Sequence, residues 1–362
     1  VWSLLALTAA MTGCAFVHHE KIVLSDRQVN DVPIVDMLVV TTRARSAERR
    51  VIFSGERSGQ RSLYNLIISI PPDGSREIGH IQWPTGSTGN PHKLFAVVKG
   101  AFMGRQDVDR WFVKVAGKKH KLLIYIHGYN TTFAESAYSL AQIAHDSGTD
   151  ATPVLFSWPS RANPLDYVYD SNSATYSRDD LEFILTRAAT DPNVSDITVM
   201  AHSLGNWLMM ESLRQMSIRH GRILPKISNI IMASADLDIG VFEKQLTQIK
   251  GPRPRTTIFA ASDDIALGIS RQLDGGVDRV GDAIPEPLRY MSVLKRNNIV
   301  AINLTKLKSG DQFNHDLFSE SPQIIRLIGS RLIEDREISG SDLTLGETIV
   351  GGGTQTRASI PR

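Results

Sequence analysis

The residues Ala201-His202-Ser203-Leu204-Gly205 hold the clearest chemical signal in this sequence. They stand between an apolar run, Ile197–Ala201, and a segment from Leu204 to Arg219 whose apolar positions Leu204, Trp207, Leu208, Leu213 and Met216 have helical spacing. A serine on a sharp strand-to-helix turn lifts its hydroxyl above the sheet edge. Small residues two before and two after it let the backbone pass, and the free N–H groups of the following helix face a developing oxyanion. Ala201 stands where glycine is more usual, so the turn must accommodate one methyl. The chemistry expected is nucleophilic attack on a carbonyl. The competing role, a serine that merely caps a helix, is weakened by the strand before it and the helix after it.

Such a serine needs a base, an acid and oxyanion donors. His127-Gly128-Tyr129-Asn130 directly follows the strand-like Leu122–Ile126. A His-Gly turn there presents the Tyr129 amide to the oxyanion, with the Leu204 amide as its second donor. His127 is expected to be a buried residue that shapes this turn, not the base; the Tyr129 and Asn130 side chains are candidates to line the site. The acid should follow a strand after Ser203. Thr256–Ala260 is followed by Ala261-Ser262-Asp263-Asp264, which offers Asp264 or Asp263, and the preceding strand is followed by Asp236 and Asp238. Aspartates also favour turns and helix caps, so spacing leaves the four open, with Asp264 preferred. The base should follow the last strand, Asn298–Asn303. His315 is the only histidine after His220. Neutral near pH 7, it can take the serine proton and return it to the leaving group.

These residues require a scaffold of alternating strands and helices. Leu122–Ile126, Pro153–Trp158, Ile197–Ala201, Ile227–Ala233, Thr256–Ala260 and Asn298–Asn303 read as strands, and Phe133–His145, Ser177–Ala189 and Leu204–Arg219 as helices. Ser177 and Asp180 suggest a capping box. Continuous apolar strands between helices indicate a parallel sheet buried on both faces. Met37–Thr42, Leu63–Ile70 and Leu94–Val98 form an earlier set with no helical pattern between them, expected as a strand meander at the sheet edge. Two further segments are candidates for the mouth of the site: Tyr167–Arg178, with Tyr167, Tyr169 and Tyr176, to line it, and the loop Gly268–Pro287 to act as a lid.

The 362 residues are 42% hydrophobic and 22% charged, enough for a sizeable core without metal or disulfide staples. A net charge of +2 and the lack of a basic stripe with interleaved aromatics argue against a nucleic-acid partner. Arg43, Arg45, Arg49 and Arg50 are expected to form a short solvated patch. No His-Glu-x-x-His motif, cysteine cluster or phosphate-binding glycine loop appears, and no cofactor is expected. The single cysteine, Cys14, follows an uncharged apolar stretch too short to span a bilayer. Met11-Thr12-Gly13-Cys14 resembles a bacterial lipobox. Residues 1–13 are therefore expected to be a signal peptide and 14–35 a tether from a lipidated Cys14, with plain secretion as the alternative. Residues 36–335 form the domain, and 336–362, rich in Gly, Ser and Thr, a disordered tail.

Taken together, HGYN at His127–Asn130, FSWPS at Phe156–Ser160, AHSLG, MASADLD at Met232–Asp238, ASDDIAL at Ala261–Leu267 and the late His315 resemble one family. It is the bacterial esterase/lipase-like family of unknown function within the α/β-hydrolase superfamily. TTRAR at Thr41–Arg45 and the stretch Tyr167–Asp180 share the resemblance, which covers roughly residues 36–335. It implies the α/β-hydrolase fold, a mostly parallel central sheet flanked by helices, with Ser203 as nucleophile, Asp264 as acid and His315 as base. Ile265 stands where the family often has Arg, a change expected at the pocket edge. The function expected is a serine esterase or lipase-type hydrolase, acting on a small ester or lipid-like substrate at the bacterial cell envelope. An acyltransferase shares the intermediate and would show an acceptor-dependent product; a non-catalytic envelope scaffold would carry a silent serine.

Overall fold

The run Leu122–Ile126 sends its side chains alternately into two cores. Leu122, Ile124 and Ile126 belong to one buried cluster, Leu123 and Tyr125 to the other, because successive strand residues point to opposite faces. Val199 and Ala201 divide from Met200 in the same way, and Leu38 and Val40 from Val39. A strand covered on both faces has no polar side, which is why these strands read as continuous apolar runs. Fully burying each such side chain contributes about 1.5–3 kcal/mol before conformational entropy is charged.

The computed structural model of the protein describes residues 18–115, 121–283, 294, 296–305, 307, 313–334 and 349–350. Its strands are β1 (Leu24–Ser25), β2 (Ile34–Arg45), β3 (Phe53–Ser69), β4 (Thr88–Gly89), β5 (Ala96–Phe102), β6 (Lys121–Ile126), β7 (Thr152–Ser157), β8 (Asp196–His202), β9 (Ile227–Ala233), β10 (Arg255–Ala260), β11 (Ile299–Asn303) and β12 (Ile349–Val350). Among the described residues they form one sheet, in the order β12-β11-β10-β9-β8-β6-β7-β2-β3-β5-β1-β4. The run from β11 to β7 is parallel. β2 joins β7 in parallel, and β3 and β5 continue as the expected antiparallel meander. β2 and β3 are longer than the apolar stretches suggested, since their polar outer residues still pair.

The helices are α1 (Arg105–Val115), α2 (Phe133–Asp146), α3 (Tyr167–Tyr176), α4 (Arg178–Thr190), α5 (Gly205–His220), α6 (Ile239–Gln248), α7 (Ile265–Leu273), α8 (Val280–Ala283), α9 (Leu317–Glu320) and α10 (Pro322–Glu334). α4, α5 and α6 cover one face of the sheet, and α2 and α10 the other. No helix among the described residues is long and apolar enough to cross a membrane. The chain is thus a mostly parallel α/β-hydrolase sheet with an added N-terminal meander.

Several local expectations are corrected. Ser177 stands at the N-cap of α4, as expected, but the capping box is not formed. α3 and α4 abut there, Ser177 keeps a helical backbone and makes no capping bond, and its hydroxyl donates to the Ser173 carbonyl at 2.8 Å. The stretch expected as a tether packs on the domain from residue 18 onward. Ile22 and Val23 are buried, the Val23 N–H donates to the Tyr138 hydroxyl, and Leu24–Ser25 pairs with β4 and β5. Within the expected tail, Ile349–Val350 pairs with β11. The expected lid is partly helical, being α7 to Leu273 and then α8; residues 284–287 lie outside the described residues. So do the expected signal segment and Cys14.

Candidate active site

Ser203 sits at the C-terminal end of β8 with φ at +50°, the left-handed region that non-glycine residues rarely occupy. Close packing holds it there. A Cβ on Gly205 would lie 2.5 Å from the His127 carbonyl oxygen and 2.9 Å from that of Ile126, and one on Gly128 would lie 2.8 Å from the Ser203 Cβ. Glycine at 205 and 128 therefore lets β6, the elbow and the His-Gly turn touch. Asn206, fully buried, donates from Nδ2 to the Ser203 and Ala233 carbonyls at 3.0 and 3.1 Å. The Ser203 N–H also donates to the Ala233 carbonyl, and the Asp236 N–H to the Ser203 carbonyl. The strained turn is thus tied to β9 on both sides. Asn206 carried no signal in the sequence beyond its place on the helix.

Of the four candidate acids, Asp264 is the one bonded to His315. It caps α7 by accepting the Leu267 N–H at Oδ1, 3.0 Å, while Oδ2 lies 2.8 Å from His315 Nδ1. Its side chain is fully buried. Asp263 is exposed and accepts the Asn314 side-chain amide at 3.4 Å. Asp236 is buried but engaged elsewhere. It accepts the Tyr167 hydroxyl and the Ser270 hydroxyl, and lies 3.3 Å from the Arg279 guanidinium. Asp238 caps α6 through the Val241 N–H.

The segment carrying His315 is fixed by backbone bonds. Its carbonyl accepts the Ser234 hydroxyl at 2.8 Å, and the Phe313 carbonyl accepts the Ile265 N–H. The His315 ring packs on that of His202, centroids 4.7 Å apart, next to Ser203. Burial opposes a charge on His315, but Asp264 outweighs it, with Asp316 and Asp236 adding, and the pKa is raised to about 9, so the ring is not mostly neutral near pH 7 as the sequence suggested. His202 is held well below that value, first by burial and then by the charge of His315.

The His127–Thr131 turn is braced from beneath by Arg43, which the sequence suggested would be solvated. It is 1% exposed. Its guanidinium donates to the Ser157 hydroxyl (2.9 Å), the Ser160 carbonyl (2.9 Å), the Thr131 carbonyl (2.7 Å) and His127 Nε2 (3.3 Å). Burial lowers its pKa to about 10, with Asp170 opposing. Asp170 takes the Ser160 hydroxyl at 2.5 Å and the Asn130 N–H at 3.3 Å, and the Thr131 N–H donates to Ser160 Oγ. His127 is buried, stacked on Trp158, and accepts the Trp158 N–H at Nε2. Burial and the Arg43 charge push its pKa far down, so it is a neutral part of the turn. Asn130 holds φ at +55°. Among the described residues, neither the Tyr129 nor the Leu204 N–H has a backbone acceptor.

The tyrosines separate by partner. The Tyr129 hydroxyl donates to the Pro164 carbonyl, and its ring meets Tyr167 edge-on at 5.1 Å. Tyr167 reaches Asp236 and Ser270. Tyr169 and Tyr176 turn away and bond Glu56 and the Ser58 carbonyl of β3. Ile265 is half-exposed directly after Asp264.

The model of the family described as alpha/beta hydrolase of unknown function (DUF900) matches residues 105–331. Among solved structures, the chain is similar to a predicted CIB-like hydrolase of Thermoplasma acidophilum, with 14% identity over 60% of this chain and 87% of that one and a TM-score of 0.35. It is similar also to a gene product of Listeria innocua, with 14% identity over 61% of this chain and 96% of that one and a TM-score of 0.36. None of the curated proteins matches the chain.

Proposed function

The chain belongs to the alpha/beta hydrolase family of unknown function, and from that premise we propose a serine hydrolase that cleaves carboxylic esters through an acyl-enzyme. Ser203 is the nucleophile, His315 the base and Asp264 the acid. One observation carries the reading: a buried carboxylate, fixed by its own helix N-terminus, holds Nδ1 of a histidine that packs beside a strained serine turn.

With Nδ1–H donated to Asp264, Nε2 of His315 is the atom that takes the Ser203 proton as Oγ attacks the ester carbonyl. The carbonyl oxygen becomes an oxyanion and accepts the Tyr129 and Leu204 N–H groups, which have no competing backbone acceptor among the described residues. Collapse of the tetrahedral adduct breaks the ester C–O bond, and His315 gives its proton to the departing alcohol. Water then attacks the acyl-Ser203 carbonyl, His315 takes the water proton and returns it to Oγ, and the carboxylic acid leaves. The Asp264 charge stabilises the imidazolium formed in each half.

Ser203→Ala abolishes hydrolysis of a p-nitrophenyl ester while circular dichroism and the melting curve stay as in the parent. Unchanged turnover in that variant refutes the mechanism. The proposal extends to an acyl anchor on Cys14 that holds the domain on a membrane of the bacterial envelope. Cys14→Ser then moves the chain from the membrane fraction to the soluble one.

A further inference from the structure

The length of chain between Cys14 and the first described residue, His18, bounds where an anchor can sit. His18 Nδ1 lies 3.1 Å from Glu135 Oε1, the His19 N–H donates to the same carboxylate at 2.8 Å, and the His19 carbonyl accepts the Thr132 hydroxyl at 2.8 Å. Thr132 and Glu135 form the capping box of α2, a few residues after the His127–Thr131 turn. The N-terminal segment is therefore pinned at the end of the sheet where Ser203, Asp264 and His315 meet. Cys14 precedes His18 by four residues, which span at most about 14 Å. The domain is taller than that: α5 alone, running away from the elbow, has 16 residues and a length of about 24 Å. A lipid on Cys14 cannot reach round to the far end.

The same end carries uncovered apolar side chains. Leu165 and Val168 are 79% and 72% exposed, on the turn and helix that the Tyr129 and Tyr167 hydroxyls hold to the site. Ile265 and Leu273 are about half exposed, at 49% and 57%, and Ile265, Ile269 and Leu273 recur at intervals of four along α7, the helix that Asp264 caps. Other apolar side chains are as exposed elsewhere, Val113 at 75% and Ile218 at 58%; what sets these four apart is that they lie on elements bordering the site, at the end where the tether is pinned.

We infer that the active-site end of the domain faces the bilayer, with Leu165, Val168, Ile265 and Leu273 seated in the lipid interface, and that the substrate is an ester dissolved in that interface. The inference rests on the proposed acyl anchor at Cys14 and deepens the esterase reading. A short tether and an apolar rim at one end act together: the first restricts which face meets the lipid, and the second gains from the contact.

The test uses the full chain, produced with its acyl anchor and reconstituted in vesicles of equal parts phosphatidylethanolamine and phosphatidylglycerol. Acylation consumes Cys14, the one cysteine of the sequence, so Leu165→Cys, Val168→Cys and Ile218→Cys each take a single environment-sensitive label. Ile218 is exposed near the far end of α5. Spin-labelled lipid quenches the labels at 165 and 168 and leaves that at 218 bright. In parallel, Leu165→Glu and Leu273→Glu lower turnover of an ester dissolved in the vesicles about tenfold, from the loss of a few buried methyl groups, and leave hydrolysis of soluble p-nitrophenyl acetate unchanged. Bright labels at 165 and 168 on an acylated, vesicle-bound chain overturn the orientation. A chain with no acyl group on Cys14 overturns it at its premise. Fluorophosphonate labelling of Ser203 in the same samples reads the esterase chemistry separately.

Discussion

Asp264→Asn separates the roles of one carboxylate. In the parent, Oδ1 accepts the Leu267 N–H and Oδ2 meets His315 Nδ1. Asparagine can keep only one of these as it stands. The helix N–H needs an acceptor, so the amide oxygen stays on Leu267 and the amide NH2 faces His315. Nδ1 must then accept, and the imidazole proton moves to Nε2, where it blocks uptake of the Ser203 proton. The cost expected is about 10⁴-fold in turnover, as for the equivalent change in a serine-protease triad, or about 5.5 kcal/mol of barrier. Asparagine keeps the helix cap, but the pairing with His315 is lost, so stability should fall at pH values below the raised His315 pKa, where that pairing contributes, and approach the parent's above it. The pH profile supplies a second reading. His315 must be neutral to act, so turnover rises as pH increases through its raised pKa. Removing the Asp264 charge lowers that pKa, and the acid limb of the residual activity moves to lower pH. Steady-state hydrolysis of a p-nitrophenyl ester from about pH 5 to about pH 10.5, corrected for spontaneous hydrolysis and with Asp263→Asn as control, measures all of this. Activity within tenfold of the parent, or a larger loss in Asp263→Asn, refutes the assignment.

Two further predictions concern what supports the site. Arg43→Lys keeps the charge but not the fork that reaches Ser157, Ser160 and Thr131, and should cost about 3 kcal/mol in urea unfolding, since hydrogen bonds to a buried charge count for about 1.5–3 kcal/mol each; an unchanged urea midpoint would show that the network beneath the turn contributes nothing. The His18–Glu135 pair should make the N-terminal segment pH-sensitive. The Glu135 bond raises the His18 pKa above 6.5 against the opposing effect of burial, so that stabilisation is complete below 6.5 and lost as pH rises through the raised value. Burial opposes the Glu135 charge, yet His18 and the Thr132 and His19 amides bring its pKa below 4.5, so that contribution is present above 4.5 and lost as pH falls through the lowered value. Hydrogen-exchange protection of residues 19–23 should therefore be greatest near about pH 5.5; equal protection at pH 8 would contradict the coupling.

Elements that report through periodicity or a sharp turn were legible in the sequence. The buried strands could be read because both faces of each are apolar, and the elbow because only small residues fit around Ser203. Residues whose partners are scattered along the chain could not. Arg43 looks like a surface charge, and its acceptors lie at positions 131, 157 and 160, mostly backbone carbonyls that leave no mark in a sequence. α3 was unreadable for another reason. Ser171, Ser173 and Thr175 favour turns, but here each hydroxyl bonds the carbonyl four residues back, at Tyr167, Tyr169 and Ser171, so the hydroxyls are satisfied within the helix and do not compete for its N–H groups. The packing of His18 and His19 depends on a capping glutamate more than a hundred residues away. Asp264 could be ranked but not chosen by spacing, since Asp236 also lies at a strand end; Arg279, Tyr167 and Ser270 engage it there.

The most direct measurement is mass spectrometry of the chain after brief exposure to a fluorophosphonate. The account predicts one phosphonyl adduct, assigned by fragmentation to Ser203 and not to Ser195 or Ser212 on the same tryptic peptide, and formed far more slowly in His315→Ala. A folded parent chain that takes no adduct, or takes it on another serine, would contradict the account.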